Sequence, residues 1–159
     1  AQPVFAAAPG LVLQVLSMTI AEATGTTAIP MDDTAPVNSE GTEIGTQAIT
    51  LADDSNKVLI SGAINAGNSD DGQFAVIALF RDSTCINVRA TNSAGTDSAN
   101  VIAFAHLDSP ATDSQITYSI RVGRKGAGTW FIGTIRGDGA AQDYGDLADD
   151  GLLLLEISA

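Results

Sequence analysis

The segment SQITYSIRVG, residues 114–123, alternates apolar and polar side chains along its length. Even positions from Ile116 to Val122 are apolar, and odd positions from Thr117 to Arg121 are polar. Successive side chains of a β-strand point to opposite faces, so this pattern predicts a strand with one face buried and the other in solvent.

Other short apolar segments also predict strands and are separated by Gly, Asn, Asp and Ser, which predict turns. They are residues 11–18, 43–51, 57–65, 73–81, 83–91, 98–108, 128–137 and 151–158. Helical periodicity is hard to find, and residues 108–115 are expected to form a loop. Regularly spaced short strands predict an all-β fold, an antiparallel β-sandwich or jelly roll.

The composition limits the possible functions. A chain of 159 residues, 45% of them hydrophobic, is long enough for one domain with its own core, which we place at residues 11–159. Aromatic residues make up 5%, so the core must consist mainly of Val, Ile, Leu and Ala. A net charge of −12 argues against nucleic acid and anionic membranes as partners. Cys85 is the single cysteine, so no intrachain disulfide can form.

Residues 1–10 form an apolar arm ahead of the first strand. Pro3 and Pro9 favour an extended course, and Val4 and Phe5 supply apolar side chains that cannot join the core by themselves. We therefore predict that the arm docks on a neighbouring protein. Ala1 is compatible with a chain start left after removal of Met, and we expect a complete small protein.

The acidic connection IPMDDTAPVNSEGTE, residues 29–43, allows two hypotheses. Oxygen atoms of Asp32, Asp33 and Glu40 are the ligands that Ca²⁺ prefers, but their spacing does not fit an EF-hand. We favour a rigid turn, because Asp accepts backbone N–H bonds and Pro fixes φ. The predicted turn residues are Pro30, Asp32, Asp33, Thr34, Pro36, Glu40 and Gly41. No metal or cofactor is predicted.

Catalytic motifs are weak. Asp32 and Asp33 could serve as paired carboxylates in glycoside hydrolysis, but adjacency in sequence does not place them across a cleft. His106 and Asp108 could form a triad with a serine, yet no GxSxG segment is present. The sequence therefore predicts a protein that is not an enzyme.

Two further motifs lie near the second half of the chain. GRKGAG, residues 123–128, is expected to be a solvated hairpin loop, in which Arg124 and Lys125 could pair with carboxylates of a neighbouring subunit. In TWFIG, residues 129–133, Trp130 and Phe131 should point to opposite faces of a strand. One of them is therefore expected in the core and the other exposed or at an interface, where it could bind a sugar.

From residue 11 to the end, the sequence resembles a small β-rich domain of tailed-phage virion proteins. The resemblance is strongest in TTAIPMDDTAPVNSEGTEIGTQAITLADDSNKVLI, and ALFRDST, ITYSIRVG, AGTWFIG and LLLLEIS are similar to later strands. The residues that match the signature are Ile29, Pro30, Asp32, Asp33, Thr34, Pro36, Glu40 and Gly41.

The resemblance implies a structural protein of the virion surface, assembled in the host cytoplasm as a homotrimer. Its expected partners are copies of itself and other virion proteins, such as the major capsid protein or a fibre or baseplate protein. Exposed sheet edges also favour closure by identical copies. A capsid decoration or spike trimer and a fibre tip both stay open. The alternatives are a receptor- or carbohydrate-binding module, with a host-surface glycan as partner, and a glycan hydrolase.

Overall fold

Alternating apolar segments form twelve β-strands in the residues that the computed structural model describes, which are 8–133, 135–137, 140–142 and 150–159. No helix occurs in those ranges. The strands are β1 Val12–Ile20, β2 Ala23–Gly25, β3 Thr42–Ile49, β4 Lys57–Asn68, β5 Phe74–Arg81, β6 Thr84–Asn92, β7 Ser98–Asp108, β8 Ile116–Lys125, β9 Trp130–Ile132, β10 Ile135–Gly137, β11 Ala140–Gln142 and β12 Asp150–Ile157.

The long strands form two antiparallel sheets. The six-stranded sheet has the order β1-β12-β4-β9-β2, with β7 paired to β4. The four-stranded sheet has the order β3-β8-β5-β6, and β10 and β11 form a separate short ladder. The all-β antiparallel sandwich predicted from the sequence is therefore confirmed.

The strand predictions differ from the structure in a few places. β4 continues past the predicted end at Asn65 to Asn68, because β7 and β9 both pair with its last residues. The predicted strand 128–137 is divided into β9 and β10. The short strands β2 and β11 were not predicted, since three residues are too few to show a period.

The core lies between the two sheets and is mainly aliphatic. β5 contributes Ala75, Ile77 and Leu79 from its inner face, and β4 contributes residues such as Ile60 and Ile64. A second apolar cluster lies on the outer face of the four-stranded sheet, where Ile29 packs with Val76, Ala78 and Phe80. Both faces of β5 are thus buried, which explains why residues 73–81 read as a nearly continuous apolar segment.

Candidate functional site

The acidic connection begins after β2 in one sheet and ends in β3 of the other. On its way it crosses the outer face of the four-stranded sheet, with a parallel bridge from Ala28 to Arg124 and an antiparallel bridge from Val37 to Thr84. Ile29, its first residue, is fully buried. The connection therefore covers a sheet face that would otherwise expose apolar side chains to water.

Asp32 forms a local side-chain turn at the tip of the connection. Its Oδ1 accepts hydrogen bonds from the backbone N–H of Thr34 at 3.2 Å and from the Thr34 hydroxyl at 2.6 Å. These two hydrogen bonds lower the pKa of the exposed Asp32 carboxyl, and the bond from the Thr34 hydroxyl has the larger effect. The next residue, Asp33, has a φ of 65°, a left-handed conformation that Asp tolerates better than most residues.

Glu40 closes the other half of the connection. Its Oε2 accepts a hydrogen bond from the backbone N–H of Val37 at 3.1 Å, and its own N–H donates to the Val37 carbonyl at 2.9 Å. Arg121 then donates to the carbonyls of Glu40 and Gly41, at 2.7 Å and 3.0 Å. Gly41 has a φ of 64°, and a Cβ there would lie 2.6 Å from the Val122 carbonyl oxygen. The backbone of the connection is thus held at both ends.

A groove of about 570 Å³ separates the connection from β5 and β6. Residues 30–36, including Pro30 and Pro36, line one side, and Val76, Cys85, Val88 and Ala90 are among the residues on the other. Asp32 and Asp33 are among the lining residues, and most of the others are apolar. Burial raises the pKa of the Cys85 thiol, which therefore stays protonated near neutral pH and is a poor nucleophile.

The predicted metal candidates do not form a ligand cluster with other titratable residues. Asp32 and Glu40 direct carboxylate oxygens to backbone N–H groups three residues away or less. Among residues 8–133, 135–137, 140–142 and 150–159, no group of three or more His, Cys, Asp or Glu side chains is arranged to hold a metal ion.

His106 and Asp108 each interact with other side chains. The Nδ1 atom of His106 lies 3.2 Å from the amide nitrogen of Asn87. Asp108 is bound at 3.0 Å by Arg81 and at 2.6 Å by the hydroxyl of Tyr118. Burial, together with the hydrogen bond and charge of Asp108, raises the pKa of Tyr118 far above its ordinary value. This cluster joins β7 to β5 and β8 across the sandwich.

The aromatic pair is placed differently from the prediction. Trp130 and Phe131 are both buried, so the expectation that one of them is exposed is wrong. The indole N–H of Trp130 donates to the Thr27 hydroxyl at 3.1 Å. Phe131 contacts β4 closely enough that a Cβ at Gly67 would lie 2.4 Å from its ring. Neither ring offers a platform for a sugar.

The two cations of residues 123–128 contact their own chain. The Arg124 guanidinium donates to the carbonyls of Thr26 and Gly128, both at 2.8 Å, so it fixes the start of the acidic connection. The ammonium of Lys125 lies 5.2 Å from the centre of the Phe74 ring. Arg124 therefore has a structural role inside the subunit that the sequence did not suggest.

Part of the predicted docking arm lies outside the described residues, namely Pro3, Val4 and Phe5. Pro9 is described and exposed. After it, the N–H of Gly10 donates to the Ser158 carbonyl at 2.9 Å, and the Ser158 hydroxyl donates to the Ala8 carbonyl at 2.6 Å. The arm therefore leaves the sandwich next to the end of β12.

Sequence analysis missed an apolar surface on the other side of the molecule. The outward positions of β1, β12, β4 and β7 are largely aliphatic, and Val15, Leu107 and Leu153 are 54%, 53% and 45% exposed. The signal was available in LLLLEI, which is apolar at both odd and even positions. We call these outward positions the apolar face.

No protein-family model matches the chain, and no curated protein matches its sequence. Solved structures with a similar backbone include that of infectious bursal disease virus, Gx strain, with a TM-score of 0.50 and 11% identity, covering 99% of this chain and 37% of that one. A VP2 subviral particle of infectious bursal disease virus gives a TM-score of 0.48 and 12% identity, covering 99% and 37%. The insecticidal delta-endotoxin Cry8Ea1 of Bacillus thuringiensis gives 0.44 and 12%, covering 78% and 20%.

This chain thus spans well under half of the length of each of these three chains. At such low identities the likeness to the virus structure shows the fold alone, a β-sandwich. Within the described ranges, no helix has the length and apolar character that crossing a membrane requires.

Proposed function

We propose that this chain is a non-enzymatic structural protein on the surface of a virus particle. More narrowly, it is a component of a tailed bacteriophage, either a capsid decoration or spike trimer or the tip of a fibre. Its partners are further copies of itself and a major capsid, fibre or baseplate protein, on which residues 1–10 dock. It takes no cofactor.

The observation that carries the proposal is the two-sheet sandwich, which aligns over 99% of its length with a chain of infectious bursal disease virus at a TM-score of 0.50. A fold of this type lets a virus protein present loops at its ends and sheet faces to neighbours. The phage assignment rests on the residues of the acidic connection that match the virion-protein signature.

The placement of the polar side chains supports a structural role over a catalytic one. Asp108 neutralises Arg81, and the carboxylates of Asp32 and Glu40 cap backbone N–H groups. A general acid or base needs a lone pair or a proton directed at a substrate. These carboxylates instead hold the chain in place.

Sedimentation of virus particles tests the proposal. Particles purified from the source culture are probed with an antibody raised against the chain, by immunoblot and by gold labelling of intact particles. We expect the chain to co-sediment with particles and the gold to lie on their outside. Gold on the head indicates a decoration protein, and gold on the tail indicates a fibre tip. A chain that remains in the particle-free fraction would contradict the proposal.

The groove favours one alternative, a receptor- or carbohydrate-binding module at a fibre tip. Its volume suits a small ligand, and Asp32 and Asp33 are among the residues that line it. Against it, Trp130 and Phe131 are buried, although exposed aromatic rings are what sugar-binding sites commonly use.

An array of host-surface glycans separates the two functions, using wild type, Asp32→Asn and Asp53→Asn. Asp53 is a matched control, because its Oδ1 accepts the N–H and hydroxyl of Ser55 as Asp32 accepts those of Thr34, but it lies outside the groove. Glycan binding that Asp32→Asn abolishes and Asp53→Asn preserves would establish the alternative. We expect no binding by any of the three.

A further inference from the structure

The two outer faces of the sandwich differ in how far their apolar side chains are covered. On the four-stranded sheet, the acidic connection covers Val76, Ala78 and Phe80 and buries Ile29 against them. On the six-stranded sheet, Val15, Leu107 and Leu153 of the apolar face stay about half exposed. An aliphatic surface left open in this way is typical of an interaction site.

The strand register lines up aliphatic side chains across this face. Val15 of β1 is opposite Leu155 of β12, Leu155 is opposite Leu59 of β4, and Leu59 is opposite Leu107 of β7. These four residues, the aliphatic row, run across four neighbouring strands. Beside the row, small side chains such as Ala63, Ala103 and Ala105 keep the surface flat. A flat sheet face with a raised row is suited to pack against another sheet.

Charge is nearly absent from the apolar face. Among the described outward positions of β1, β12, β4 and β7, the charged side chain is Lys57, the first residue of β4. The whole chain, in contrast, has 19 acidic residues and a net charge of −12. Because the apolar face carries no described carboxylate, two such acidic chains could meet there with little local repulsion.

This charge distribution restricts the partner. A cationic protein would find no carboxylate on the face, and an anionic membrane or nucleic acid would be repelled by the remainder of the chain. The partner that remains is one with a neutral aliphatic surface, and the same face of a second copy provides such a surface.

We propose that the apolar face is a homotypic interface through which copies of this chain associate. It deepens the self-association included in the proposed function, but it does not require a virion. A two-fold pair stacked face to face and a three-fold arrangement around a common axis would both bury the aliphatic row.

The test is the mass of the protein in solution, measured by sedimentation velocity over a range of concentrations. The test variant is Leu107→Glu, which places a charge in the aliphatic row at a position that tolerates solvent. The matched control is Met31→Glu, because Met31 is equally exposed, at 53%, but lies on the acidic connection. Leu153→Glu repeats the test on β12, and thermal unfolding confirms that each variant is folded.

We expect the wild type to associate, Leu107→Glu and Leu153→Glu to weaken association by at least about tenfold, and Met31→Glu to leave it unchanged. A wild type that stays monomeric up to about 0.1 mM would overturn the proposal. So would equal weakening by all three variants. Binding of a monomeric wild type to neutral phosphatidylcholine vesicles would assign the face to lipid and would also overturn it.

The result is separable from that of the proposed function. A dimer through this face supports the interface and contradicts the homotrimer. A trimer supports both. Co-sedimentation with virus particles is independent of either mass, so a monomer that is nevertheless found on particles would overturn the interface and leave the virion role standing.

Discussion

A single residue, Glu156, illustrates what local sequence can and cannot reveal. Residues 151–158 predict a strand, but both of its faces are apolar, so alternation does not tell which face receives the glutamate. In the structure Glu156 is buried, and its carboxylate accepts hydrogen bonds from Gln14, Ala52 and Asn56 at 2.6–2.8 Å. These donors come from distant parts of the chain, so the role of Glu156 depends on tertiary packing.

Tyr118 leads to a prediction about pH at the same scale. Its buried hydroxyl donates to Asp108, and burial is the main cause that raises its pKa well above its ordinary value. In the unfolded chain a tyrosine loses its proton near about pH 10. Above that pH the folded state retains a proton that the unfolded state has lost. The unfolding free energy should therefore fall by up to about 1.4 kcal/mol per pH unit for this group, and the contribution is complete below about pH 10.

Urea unfolding of wild type and Tyr118→Phe between about pH 8 and pH 11 measures this contribution. Tyr118→Phe lowers stability near neutral pH, because Asp108 loses a hydrogen bond, but it should flatten the decline above about pH 10. All other titrating groups are shared by the two proteins. Parallel curves for the two would contradict the proposed linkage.

At the scale of elements, the acidic connection was predictable in its chemistry but not in its position. The turn at Asp32 follows from an Asp two residues before a Thr, which is a local pattern. The groove, in contrast, depends on where the connection lies on the four-stranded sheet. That is decided by contact between Ile29 and Gly123 of β8, residues far apart in sequence.

Gly123→Ala should lift the connection from the sheet. A Cβ at Gly123 would lie 2.5 Å from the Ile29 nitrogen and 2.8 Å from the Ala28 carbonyl carbon, both backbone atoms that cannot rotate away. We expect the unfolding free energy to fall by about 1–3 kcal/mol and proteolysis within residues 30–40 to accelerate.

Gly151→Ala is the control for this change, because Gly151 also lies in a strand and the nearest atom to its Cβ would be the Met18 carbonyl oxygen at 3.5 Å. It should alter stability by less than about 0.5 kcal/mol. Urea unfolding and limited thermolysin digestion compare the two variants. Equal unfolding free energies of the two variants would show that the connection does not pack closely against Gly123.

At the scale of the whole molecule, the sandwich separates its charge from its open apolar surface. The all-β class followed from alternation along individual strands, and the apolar face could be recognised only when the register of β1, β12, β4 and β7 was known. Period-2 patterning is a property of one strand, whereas an aliphatic row is a property of four strands in register. The sequence alone therefore predicted self-association of the chain, but it did not predict the surface through which the copies would associate.

Salt dependence is the prediction that belongs to this scale. Two chains of net charge −12 repel each other at neutral pH, although the apolar face itself carries no carboxylate in its described positions. Raising the NaCl concentration from about 0.05 M to about 1 M shortens the screening length to about 3 Å and removes most of that repulsion. Burial of the aliphatic row is not weakened by the same salt. Sedimentation velocity should therefore show tighter self-association at high salt, with Leu107→Glu remaining weaker than wild type under both conditions. Association that weakens as salt rises would mean that ion pairs hold the copies together, and the apolar face would then not be the surface where they meet.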